Sequence, residues 1–220
     1  MDVAAIIQTI AISLPPLLLA LTLHELAHGY VALQFGDQTA RMAGRLTLNP
    51  IPHLDPIGTL LILFGMATGA PVIGWAKPVP VNPYNLRRPR TDMIWVALAG
   101  PAMNLLLAAG SAFALRWFPD PGWRAGSSLG LGFTVPLGLM LVVSLWINVG
   151  LAIFNLLPIP PLDGARILTG LLPRRHALTF SQLEPYGFII LLLLFMSGAI
   201  RQVISPLIEG TIHFLLKFRI

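Results

Sequence analysis

The 220-residue chain contains no cysteine, and only 10% of its residues are charged. The first absence removes disulfides and thiolate ligands, so any bound metal must be held by His, Asp or Glu. The second removes most soluble architectures, which carry about a quarter charged residues. With 55% hydrophobic residues and a mean hydropathy of +0.78, the composition is that of an integral membrane protein. There is room for four or five helical spans of roughly 20 residues each. The net charge of +5 would suggest nucleic acid in a soluble protein. Here the basic residues lie in loops beside apolar runs, where they set orientation and meet anionic lipid headgroups; no nucleic-acid partner is expected. Internal repeats and low-complexity segments are also lacking. The chain opens Met1-Asp2 without a basic region, so the first apolar run reads as a retained helix rather than a signal peptide.

From Val3 to Leu23 no residue is charged, and then comes Leu23-His24-Glu25-Leu26-Ala27-His28-Gly29. On a helix, His24 and His28 lie four residues apart on one face, so their imidazoles can converge on one ion. Glu25 is then placed to act on a metal-bound water as general base. Ionisable groups at the edge of a lipid-length segment are costly and usually functional.

The first helix is expected over residues 3–35, kinked at Pro15-Pro16. Residues 36–56 are polar and turn-rich, with a short strand predicted near Arg45 to Asn49. Residues 57–70 are apolar but too short for a full span, which suggests a re-entrant or interfacial piece. Proline punctuation forbids a helix through Gly74-Trp75-Ala76-Lys77-Pro78-Val79-Pro80-Val81-Asn82-Pro83. Spans follow over 92–117 and 131–157. Residues 186–216, broken by Arg201, Pro206 and Glu209, form either one span with an amphipathic tail or a shallow hairpin. The fold class expected is an all-α polytopic membrane protein with short extended or re-entrant segments near its active site. It is treated as one domain over 1–220, with a core over 3–170 and a C-terminal helical region over 186–216.

Loops 36–56, 71–91 and 158–185 hold Arg41, Arg45, Lys77, Arg87, Arg88, Arg90, Arg166, Arg174 and Arg175, whereas loop 118–130 holds only Arg124. The positive-inside rule puts the first three loops in the cytoplasm. If 57–70 dips and returns, the end of the first helix shares a membrane side with residues 158–163. A full crossing by 57–70 would part them. Catalytic zinc takes three protein ligands and keeps one position open. Asp163, in the proline-framed turn Pro160-Pro161-Leu162-Asp163-Gly164, is one candidate for the third ligand, and His53 is its rival.

Taken together, His24-Glu25-x-x-His28, Gly100-x-x-x-Asn104 and Asn155-x-x-Pro158 leading to Leu162-Asp163-Gly164 resemble the site-2 protease family of intramembrane zinc metalloproteases. The runs Gly44 to Pro50 and Gly74 to Pro83 are similar to a compact bacterial subgroup, without PDZ or CBS domains. The resemblance implies Zn²⁺ as cofactor, Asp163 as third ligand, and Asn155 as a substrate-positioning or oxyanion-stabilising residue beside the catalytic Glu25. It implies transmembrane protein or peptide substrates, and a site on the cytoplasmic side of a bacterial inner membrane. Asn155, Asn104 and His53 are the candidate substrate-binding residues. Gly100 and Asn104 also share a helical face on which a small residue admits a close neighbour. The extended segments near Arg45–Asn49 and Gly74–Asn82 offer an edge for pairing with an unwound substrate. The alternative is an inactive zinc-binding scaffold for transmembrane segments, which would need a fourth protein ligand such as His53.

Overall fold

The computed structural model describes residues 2–70, 74–118 and 134–217. Arg124, Met1 and the first residues of the 131–157 block lie outside them. Helix α1 runs Val3–Gln34 and continues through Pro15 and Pro16. A short α2, Thr39–Met42, follows, and α3 spans Pro56–Thr68. The two long central helices are α4, Pro89–Ala114, and α5, Thr134–Asn155. After them come α6, Asp163–Leu171, and α7, Arg174–Ser181. The described chain closes with α8, Gly187–Met196, and α9, Ala199–Lys217.

Among the described residues, four stretches are long and apolar enough to cross a membrane: Val3–Gln34, Pro89–Trp117, Thr134–Asn155 and Arg174–Met196. The last is assembled from α7, a turn of 3-10 helix at Glu184–Tyr186, and α8. By contrast, α3 has 13 residues, about 20 Å of helix against a hydrocarbon core of about 30 Å. It starts on Pro56 with Asp55 capping the Gly58 N–H and ends at Gly69 in the left-handed conformation. The re-entrant reading of 57–70 fits this length.

No strand forms at Arg45–Asn49; the isolated bridge among the described residues pairs Leu54 with Ala76, antiparallel. The alternation there is too short to build a ladder, and the loop instead turns through Asn49, whose Oδ1 accepts the Ile51 N–H. Residues 74–82 are extended and free of helix, as the prolines require. In the C-terminal region a break at Gly198 (φ +77°) separates α8 from α9. α9 lays Ile212 and Ile208 against Leu145 and Val149 of α5, and with Arg174–Met196 long and apolar enough to cross, the arrangement fits one span followed by an amphipathic tail as well as a hairpin.

The core is a three-helix contact of α1, α4 and α5, with α6 packed on α4. One cluster joins Ala108, Ala112 and Leu115 to Leu145, Val149 and Ile212. Another joins Leu17 to Ile62 and Met66, seating α3 on α1. Outward-facing Leu19, Leu106, Phe113 and Trp146 remain exposed, the pattern of spans whose outer surface meets lipid rather than water.

Candidate metal centre

His24 and His28 occupy successive turns of α1, both buried. Asp163 is brought to them by a chain of local constraints. Prolines at 158, 160 and 161 bar a helix interior there, so α6 can begin no earlier than Pro161, and it begins two residues later. Asp163 is its first residue and is buried. Gly164 lies directly against the Leu156 and Leu157 carbonyls, where any side chain would collide. That contact fixes the start of α6 on the end of α5.

His24 Nε2 and His28 Nε2 each lie 3.2 Å from Asp163 Oδ2, and 3.0 Å from each other. The tautomers follow from the neighbours. His28 Nδ1 is 2.7 Å from the Val96 carbonyl, which only accepts, so Nδ1 carries the hydrogen. Asn104 Nδ2 faces the Ala20 carbonyl and Asn148 Oδ1. Its Oδ1 therefore faces His24 Nδ1, at 2.6 Å, and that nitrogen also donates. Both Nε2 atoms are left as lone pairs aimed at a carboxylate oxygen that is buried without a hydrogen-bond partner. Three electron-pair donors thus converge where neutral rings offer no proton, an arrangement that a cation resolves. Zinc bonds of 2.0–2.1 Å imply ligand-to-ligand edges of about 3.3 Å in a tetrahedron. These residues fit zinc.

Helix α4 backs both histidines. Gly100 faces them so closely that a Cβ there would sit 2.6 Å from His24 Nε2 and nearer still to His28 Nε2. Glu25, half-buried on the adjoining side, accepts the Val79 N–H at 2.7 Å through Oε2. The extended segment carrying Val79 is tied down by Lys77 N–H to the His53 carbonyl and by Arg45 Nη2 to the Lys77 carbonyl.

The remaining candidates fall elsewhere. His53 does not join the three-residue cluster. It is buried, its Nε2 donates to the Thr47 carbonyl at 3.1 Å, and it braces the 47–54 loop. Asn104, expected to touch substrate, is fully buried behind His24, because an uncharged amide in the spans must find partners within the protein. Asn155 closes α5, half-buried, with Nδ2 donating to the Leu151 carbonyl at 2.9 Å. Sequence reasoning missed Val96, Val79 and Asn148. Two act through backbone atoms that any residue supplies, and the third is an uncharged residue inside an apolar run.

A Bacillus subtilis (strain 168) protein, the provisionally named zinc metalloprotease YwhC, is 42% identical over 203 residues, covering 91% of this chain and 87% of that relative. The chain belongs to peptidase family M50. The M50 family pattern itself matches residues 126–197, the part containing Asn155 and Asp163 but not the histidine pair. Rip2 of Mycolicibacterium smegmatis, also provisionally named a zinc metalloprotease, is 33% identical over 186 residues, covering 84% of this chain and 66% of that relative. Rip2 of Mycobacterium tuberculosis (strain H37Rv) is 32% identical over 181 residues, 82% of this chain and 64% of that relative. No solved structure matches the chain. M50 membership and four apolar helices make this an integral membrane protein.

Proposed function

We propose that the chain is an intramembrane zinc metalloendopeptidase that hydrolyses peptide bonds within or near transmembrane segments of other membrane proteins. The observation that carries this reading is the convergence of His24, His28 and Asp163, three lone-pair donors and no fourth among the described residues, beside Glu25. A structural zinc site takes four protein ligands, whereas a catalytic one keeps a position open. That distinction favours the enzyme over an inert scaffold. When bound, zinc supplies the Lewis acidity that makes water nucleophilic near neutral pH and polarises a carbonyl.

The chain's own residues do the rest. Glu25, with Oε2 held by Val79, accepts the proton of the attacking water as its oxygen bonds to the scissile carbonyl carbon. The same carboxyl then returns that proton to the leaving amine as the C–N bond breaks. Asn155, with one amide hydrogen engaged by Leu151, has a second to offer the carbonyl oxygen. Peptide bonds in a helix are shielded, so the substrate must be unwound. The extended segment at 74–82, held open by Pro78 and Pro80, supplies a backbone edge beside Glu25 for that purpose.

The same proposal treats residues 1–220 as a single protease domain in a bacterial cytoplasmic membrane. Arg41, Arg45, Lys77, Arg87, Arg88, Arg90 and Arg166 lie in or beside the loops nearest the cluster, which faces the site to the cytoplasm under the positive-inside rule. Glu25→Gln tests the mechanism. Zinc content should stay at about one per chain, and cleavage of a single-span substrate with a helix-weakening glycine should fall by about 10²–10⁴-fold. Undiminished cleavage would remove Glu25 from the reaction.

A further inference from the structure

The hydrogen bond that orients His24 does not end at Asn104. Asn104 Nδ2 donates to Asn148 Oδ1 at 2.8 Å, across the α4–α5 interface. Asn148 Nδ2 in turn donates to the Ser144 carbonyl at 2.9 Å and lies 3.2 Å from the Ser144 hydroxyl. The Ser144 hydroxyl meets that of Ser111 at 2.9 Å. This series of bonds has a fixed direction. Two backbone carbonyls, at Ala20 and Ser144, can only accept, so they hold the nitrogen side of each amide toward themselves. Each asparagine oxygen must then point toward the metal centre. Asn104 is 0% and Asn148 1% exposed, so no solvent can substitute for a missing partner, and an unpaired amide there is expensive.

We propose that Asn148, which touches neither metal nor substrate, is a positioning residue for the zinc centre. By accepting the Asn104 N–H it keeps the Asn104 oxygen turned to His24. That oxygen in turn holds the proton on His24 Nδ1 and leaves Nε2 free to ligate. Without Asn148, Asn104 loses one of its two anchors. An amide turned end for end would present N–H to His24 Nδ1 and drive the ring to the tautomer whose Nε2 is protonated and cannot bind metal. Outer partners of metal-bound histidines commonly carry about 10–100-fold in affinity. Here the support reaches one residue further, into the α5 span.

The inference rests on His24 being a zinc ligand, and the experiment separates the two claims. Zinc affinity is measured by chelator competition on the purified full chain in detergent, for wild type, His24→Ala, Asn148→Leu, Asn148→Asp and Ser111→Ala. Asn148→Leu places an apolar side chain of similar size in the span, whereas Asn148→Asp keeps an acceptor oxygen for Asn104. His24→Ala should abolish tight binding; if it does not, the site reading fails, and the Asn148 proposal fails with it. Given that loss, Asn148→Leu should weaken zinc by about 10–100-fold and alter the visible spectrum of the cobalt-loaded protein, while the metal-free protein still melts cooperatively, if at a lower temperature. Asn148→Asp should recover most of the affinity, and Ser111→Ala should match wild type. Unchanged affinity and cobalt spectrum in a folded Asn148→Leu protein would overturn the proposal. A second readout needs no variant: ¹⁵N shifts of the histidine-labelled, zinc-loaded wild type should show His24 bound through Nε2 with its proton on Nδ1, and ligation through Nδ1 would equally overturn the proposal.

Discussion

The two flanks of the His24-Glu25-Leu26-Ala27-His28 turn are built on different physics. On one side α4 holds the histidines from within the helix bundle. Its Val96 carbonyl and Asn104 amide fix both rings, and Gly100 lets the helix close onto them. On the other side Glu25 is held by a backbone N–H from a proline-bound extended segment, itself tied to loops. The candidate ligands are thus fixed in a dry, apolar setting, where each hydrogen bond has no aqueous competitor. The candidate base is fixed from a half-buried strap. The difference teaches that metal binding and proton transfer, as proposed, have separate supports, so each can be damaged without the other.

Gly100→Ala should break the first support most completely. The added methyl overlaps both imidazoles, so zinc affinity should fall at least about 100-fold, more than for loss of a single outer partner. Chelator competition on the folded variant checks this, and wild-type affinity would mean that α4 does not approach the ligands so closely. Val79→Pro addresses the other support, because proline deletes the N–H bonded to Glu25 while keeping an extended backbone and an apolar side chain at this buried position. A hydrogen bond to a charged group contributes about 1.5–3 kcal/mol, so turnover should fall roughly ten- to a hundredfold with zinc content intact. If zinc is lost as well, the two flanks are not independent.

The smallest effect concerns the anchor of that strap. Asp37, buried at the end of α1, accepts from the Asn82 N–H at 2.7 Å and from Asn85 Nδ2 at 3.0 Å. Burial raises its pKa, but hydrogen bonds from Thr39, Asn85 and Asn82 outweigh that and leave the carboxyl below its ordinary value. The stabilisation is therefore fully present above the unfolded pKa of about 3.9 and is lost as pH falls through the lower folded value. Asp37→Asn should lower the melting temperature by a few degrees at pH 7 and flatten its decline below about pH 4. An identical acid limb in both proteins would show that Asp37 anchors nothing.

Much of the site was legible in one dimension because its signals are local. The spacing of His24 and His28 follows from helical periodicity, and a start of α6 close to Asp163 follows from prolines that bar a helix interior before Pro161. The brevity of α3 was equally visible, and with it the shared membrane side of residues 24–28 and 163. His53 and Asn104 were misplaced for one reason: a polar residue near a motif reads the same whether it faces a substrate or supports the protein. His53 braces a loop, and Asn104 stands behind His24. The strand expected at 45–49 failed because alternation over so few residues does not decide whether a partner lies alongside.

By itself, the sequence determined a polytopic helical membrane protein, the candidate ligand types and the candidate base. Apolar run length, helical period and proline stereochemistry act on neighbours along the chain. Tertiary structure alone decided that Asp163 rather than His53 completes the cluster, that Val79 holds Glu25, and that Asn148 stands at the far end of the His24 support. Those choices depend on which buried polar atoms meet across helices distant in sequence, and the cost of leaving any of them unpaired in an apolar interior selects the arrangement.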